Sequence, residues 1–213
     1  MNFGNVLIFG DSYSTYKGHI PEGYAFYYPP SIPERPSLPD VNDTWWKSLI
    51  NETESTLILN NSWSGSTMGY TGYDGADTSK TSSFITRLRK LTLEGFFEKN
   101  KIDTVFVFGG TNDSWSNAPV GELKYENRTE SDLYFVLPGI CEFLEALKSV
   151  LPKANIIVLI NEGLKAEITE GLKLAATHYA MTPLKLSGID KKSDHPTVVG
   201  MKSIKEQILK NLS

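Results

Sequence analysis

The chain is poor in cysteine and histidine. It has one cysteine, Cys141, and three histidines, His19, His178 and His195, in 213 residues. A single cysteine excludes an internal disulfide and gives no sign of an oxidising compartment. No His/Cys/Asp cluster has the spacing of a metal site, so no metal is expected. Positive charge is also scarce, with 21 Lys and Arg against 25 Asp and Glu and a net charge of −4. That excludes the basic stripe of a general nucleic-acid or membrane-surface binder. No run approaches the ~18 apolar residues of a membrane span. Met1 leads almost directly into Val6–Phe9, without the basic, apolar and cleavage segments of a leader, so the cytoplasm is the expected location. Repeats, charged tails and low-complexity linkers are missing as well. What remains open is a small-molecule substrate, and a homo-oligomer is compatible with the composition.

The length and the 40% apolar content suit one globular domain spanning 1–213. Four short apolar runs read as buried strands: Val6–Phe9, Leu57–Leu59, Thr104–Phe108 and Ile156–Ile160. Each ends in polar or Gly-rich residues. Helical patterns fall between and after them, over Thr44–Thr53 with Asp43 as N-cap, Ser83–Lys99, Asp132–Val150, Thr169–Tyr179 and Thr197–Leu212. Alternating strands and helices predict an α/β fold with a parallel sheet covered on both faces, its active groups outside the C-terminal strand ends. One stretch departs from this rhythm. Residues 16–43 are rich in Tyr and Pro and read as an irregular excursion. A second loop, Met68–Ser82, is rich in Gly, Tyr, Asp, Thr and Ser. Cys141 reads as a buried thiol on a helix, and at least one of Trp45 and Trp46 as core.

Four blocks carry the chemistry. Phe9-Gly10-Asp11-Ser12-Tyr13-Ser14 follows the first strand and presents Ser12 at a turn, where Gly10 permits tight backbone geometry. Asn60-Asn61-Ser62-Trp63-Ser64-Gly65 follows the second. Gly109-Gly110-Thr111-Asn112-Asp113 follows the third, and an Asn side chain there can donate a hydrogen bond without a charge to desolvate. Asp194-His195-Pro196 comes late. Its proline biases His195 away from helical geometry and sets the next helix start, leaving the imidazole in a loop. Asp11 and Asp113 read as loop-locking carboxylates. Trp115, Tyr70 and Tyr73 lie close enough in sequence to line the same cleft and contact substrate.

In their order, these blocks resemble the SGNH superfamily, also called GDSL esterases and lipases. That family carries Gly-Asp-Ser, N-x-G-x-x-G, G-x-N-D and an Asp-x-x-His pair. Here Gly10-Asp11-Ser12 and Gly110-Thr111-Asn112-Asp113 are complete, Ser62 replaces the middle glycine of Asn60–Gly65, and Gly200 follows His195-Pro196. The resemblance implies a flavodoxin-like three-layer α/β/α sandwich without a cofactor. It also implies a serine esterase acting on small carboxylic esters. No long apolar segment suggests interfacial binding, which places O-acetylated carbohydrate ahead of lipid as the expected substrate. Ser12 would be the nucleophile and His195 the general base. The Ser12 N–H, the Gly65 N–H and the Asn112 amide would form the oxyanion hole. Lys192 stands where the family has its acid. The order of expectation for that role is Asp190, then a Ser–His pair without an acid, then Asp194, with a backbone carbonyl also available. An acyltransferase or thioesterase on the same site, or a carbohydrate-binding scaffold without catalysis, are the alternatives.

Overall fold

A computed structural model describes residues 1–30 and 32–212; residue 31 of the Tyr/Pro-rich stretch and residue 213 lie outside it. Five parallel strands form the sheet: β1 Asn5–Gly10, β2 Thr56–Ser62, β3 Thr104–Phe108, β4 Asn155–Ile160 and β5 Thr182–Lys185. Their order is β2-β1-β3-β4-β5, the flavodoxin-like arrangement. Alternate residues of each strand serve opposite faces. Leu7, Phe9, Val105, Val107, Ile156 and Val158 bury one side beneath helices α2 Phe84–Leu93, α5 Val136–Val150 and α6 Ala166–His178. Val6, Ile8, Phe106, Phe108, Ile157 and Leu159 bury the other beneath α1 Trp45–Glu52 and α7 Val198–Leu212. Trp45, Trp46 and Cys141 are fully buried, as their positions suggested. No helix among the described residues is long and apolar enough to cross a membrane.

The structure revises several sequence-based boundaries. Strand β5 was not expected. Thr182-Pro183-Leu184-Lys185 has no apolar run, and pairing with β4 at the sheet edge makes it a strand. Thr44, not Asp43, caps α1, accepting from the Lys47 N–H at 3.2 Å; Asp43 instead closes a capping box with Asp40 around the preceding turn. Gly95, in left-handed conformation, splits the expected helix Ser83–Lys99 into α2 and α3 Phe96–Lys99. Extended Phe135 likewise delays α5 beyond a 3-10 turn at Asp132–Tyr134. The strand order reverses between β1 and β3, and a short helix, α4 Thr111–Trp115, opens just after β3 at that switch point.

Candidate active site

Ser12 opens a 3-10 turn directly after β1 and is only 3% exposed. Asp11 caps that turn, accepting from the Tyr13 N–H at 3.0 Å. A side chain at Gly10 would collide with Ser62 Oγ at 2.5 Å, so the chain passes this point only as glycine. Ser12 Oγ lies 2.9 Å from His195 Nε2. His195 comes from a two-strand hairpin, β6 Lys191–Lys192 and β7 His195–Pro196. Its other ring nitrogen, Nδ1, lies 3.0 Å from the Ser193 carbonyl oxygen. A carbonyl oxygen only accepts, so Nδ1 carries the proton and the Nε2 lone pair faces Ser12.

The Ser193 carbonyl therefore occupies the place where Asp190 was expected. The Asp190 carboxylate accepts from the Thr197 hydroxyl instead, and the Asp190 carbonyl accepts from the Thr197 N–H. Asp194 offers His195 no hydrogen bond either; its carbonyl accepts from Tyr13 Oη. The hairpin turns through Ser193 and Asp194, both in left-handed conformation at φ 48° and 60°. Contacts with the N-terminal half hold it there. Tyr28 Oη donates to the Pro196 carbonyl at 2.7 Å, and Ser193 Oγ donates to the Glu34 carbonyl at 3.0 Å. The Tyr27 ring stacks flat on the imidazole, 3.6 Å between centroids and 5° between planes, and Arg35 lies 4.6 Å from the Tyr27 ring centroid. Nothing in the spacing of Tyr27, Tyr28 and Glu34 announced this contact. The density of tyrosine in the excursion was the one available signal.

Burial pushes His195 down to about 4, with the Arg35 and Lys191 cations adding to the effect and the Ser193 and Asp194 interactions opposing it. The imidazole is thus neutral at physiological pH. Burial pushes the Asp11 carboxyl up to about 7 and that of Asp113 up to about 6. Asp113 accepts from the Met68 N–H at 3.0 Å and the Gly69 N–H at 3.4 Å, tying the Met68–Ser82 loop to α4.

Gly65 sits at φ +82°, and an added Cβ would meet open space, so backbone conformation is what selects glycine there. Neither its N–H nor that of Ser12 bonds a protein acceptor among the described residues. Asn112, 2% exposed, donates from Nδ2 to the Ser66 carbonyl at 2.9 Å. Trp115 is half-buried, 5.6 Å from the imidazole and 6.3 Å from Tyr13 between centroids. Tyr73 reaches the site as well, through its hydroxyl on Asn112. Tyr70 does not line the cleft. It is buried in the core beneath the loop, with its hydroxyl on Arg89 at 2.7 Å.

Arg87 was not singled out by sequence reasoning. Only 1% exposed, it donates from α2 to the Asn61 carbonyl and Oδ1, the Gly10 carbonyl at 3.3 Å, Ser66 Oγ at 3.1 Å and the Ser82 carbonyl at 2.9 Å. One cation thus joins the C-terminal ends of β1 and β2 to the segment that follows β2.

Comparison with known proteins follows the same lines. No curated protein matches the chain. A protein of Bacteroides ovatus described as a GDSL-like lipase is 38% identical, with 98% of this chain and 97% of that one covered and a TM-score of 0.90. Its counterpart from Bacteroides uniformis is 39% identical, covering 98% and 95%, with a TM-score of 0.89. An acetyl xylan esterase from Butyrivibrio proteoclasticus shares the fold at 16% identity and a TM-score of 0.61, covering 98% of this chain and 63% of that one. The family model GDSL-like Lipase/Acylhydrolase matches residues 4–212, so the chain belongs to that family and is a carboxylic ester hydrolase.

Proposed function

We propose that Ser12 and His195 hydrolyse short-chain esters through an acyl-enzyme, with O-acetylated carbohydrate as the substrate class. The observation that carries this reading is the 2.9 Å contact between Ser12 Oγ and a neutral, tautomerically fixed His195 Nε2. Nε2 takes the hydroxyl proton as Oγ attacks the ester carbonyl carbon. Negative charge gathers on the carbonyl oxygen, where the Ser12 and Gly65 N–H groups and the uncommitted N–H of Asn112 receive it. The ester C–O bond then breaks, and the imidazolium gives its proton to the departing alcohol. Water repeats the sequence on the acylated Ser12. It loses a proton to Nε2, the acid departs, and the proton returns to Oγ.

The imidazolium formed on the way faces the Ser193 carbonyl dipole, with the Asp194 charge nearby. This is a Ser–His pair supported by a main-chain carbonyl. For the substrate class, half-buried Trp115 beside the imidazole supplies a ring suited to a short acyl group or a sugar face. Removal of acetyl groups from xylan by the Butyrivibrio protein is a precedent for this chemistry on the same fold.

The test is hydrolysis of 4-nitrophenyl acetate by wild type and Ser12→Ala side by side, followed by acetate release from acetylated xylo-oligosaccharides. Ser12→Ala should lower the rate to buffer background. A variant that keeps the wild-type rate would remove Ser12 from the mechanism.

A further inference from the structure

Tyr73 belongs to a 3-10 turn, Tyr73–Gly75, at the tip of the Met68–Ser82 loop. The residue is 42% exposed, yet its hydroxyl lies 2.9 Å from Asn112 Oδ1. Asn112 has one acceptor oxygen and two N–H donors. The Ser66 carbonyl takes one N–H, and being acceptor-only it fixes which end of the amide faces it. Oδ1 must then turn the other way, where it meets Tyr73 as donor. The second N–H has no protein acceptor among the described residues.

We infer that Tyr73 is a positioning residue, locking the Asn112 carboxamide so that its remaining N–H is presented to the oxyanion. This rests on the reading of Asn112 as an oxyanion donor. Two features make the lock a built one. First, the loop tip is braced by the Gly72 N–H on the Ala76 carbonyl at 2.7 Å and by a bridge between Thr71 and Asp77. Second, the residue after Asn112, Asp113, holds the start of the same loop through Met68 and Gly69. The loop is therefore fastened to α4 at its start and at its tip. Donation to Oδ1 also polarises the amide and strengthens the N–H left for the substrate. Burial, with Asp11 and Asp113 nearby, pushes the phenol up to about 12, so it stays a donor through neutral pH.

The experiment is a double-mutant cycle on 4-nitrophenyl acetate with wild type, Tyr73→Phe, Asn112→Ala and the double variant. Deleting an oxyanion donor outright costs about 10²–10³ in kcat, and loosening one should cost less, about tenfold. Tyr73→Phe is therefore expected to lower kcat about tenfold with KM within about twofold, and to change nothing further once Asn112 is alanine. An equal loss in both backgrounds, or no loss in wild type, overturns the inference.

A second readout does not need activity. The side-chain amide ¹⁵N–H₂ signal of Asn112, identified by its disappearance in Asn112→Ala, should move in Tyr73→Phe, and an unmoved signal refutes the lock. Should wild type hydrolyse no faster than Ser12→Ala, the proposed function fails, and the amide signal still decides the role of Tyr73.

Discussion

His195 is a base that its surroundings keep unprotonated. An exposed imidazole titrates near 6.5, and burial pushes this one down to about 4. The acid limb of kcat/KM should therefore lie near pH 4, with activity level through pH 6; a limb at 6.5 would contradict the burial argument. Arg35 contributes to the depression, so Arg35→Gln should move that limb upward, as a pH–rate profile would read directly. Stability follows with a definite sign. The folded value lies below the unfolded one, so the unfolded chain binds the proton first as pH falls. The His195 contribution is intact above about pH 6.5 and is lost as pH falls towards 4. Ser12, Asn112 and His195, which the structure brings together, could be singled out in the sequence because the proposed chemistry rests on their side chains and they stand in recognisable blocks. The Ser193 carbonyl was not singled out, because every residue has one and only the path of the chain decides which is used.

The hairpin β6–β7 and helix α7 form one positioning element. A Cβ at Gly200, in the first turn of α7, would stand 2.1 Å from the Asp190 carbonyl oxygen. Gly200→Ala must push the hairpin aside, at a cost of about 1–3 kcal/mol by denaturant titration, and should lower kcat with it. Tyr28→Phe leaves the buried Pro196 carbonyl without its donor, which costs about 1–3 kcal/mol. Its rate loss should fall on kcat more than on KM, because Tyr28 is fully buried and out of a substrate's reach. The first four strands were readable as apolar runs ending in polar turns. β5 was not, because Leu184 is its only buried residue and Pro183 argues against a strand until the neighbour is known. The irregular excursion was readable as irregular, but its role was not: its tyrosines act on a hairpin more than 160 positions away in the chain.

Across the molecule, Arg87 links the sheet to the site. Its guanidinium is clasped by main-chain and side-chain oxygens and lies 4.3 Å from the Phe84 ring centroid; among the described residues no carboxylate forms an ion pair with it. Burial pushes it down to about 9, still charged at neutral pH. Arg87→Leu would take this donor from the buried Asn61 carbonyl and leave the Gly10 carbonyl to the Trp63 N–H alone; a buried acceptor left unpaired costs about 1–3 kcal/mol, so the unfolding midpoint should fall. Arg87→Lys, which keeps the charge but lacks the planar fork, should recover only part of it. A midpoint unchanged in Arg87→Leu would show that these contacts contribute little. The support of His195 follows a different logic. It comes from a peptide group, which every codon at position 193 would supply. No single side-chain replacement deletes the acceptor itself, and only a change in the path of the backbone can withdraw it. Side chains at 190 to 194 bear on the course of the hairpin, through the Thr197 and Glu34 contacts and the left-handed turn, and not on the acceptor itself, so a comparison of sequences that looks only for an acid here would overlook the carbonyl.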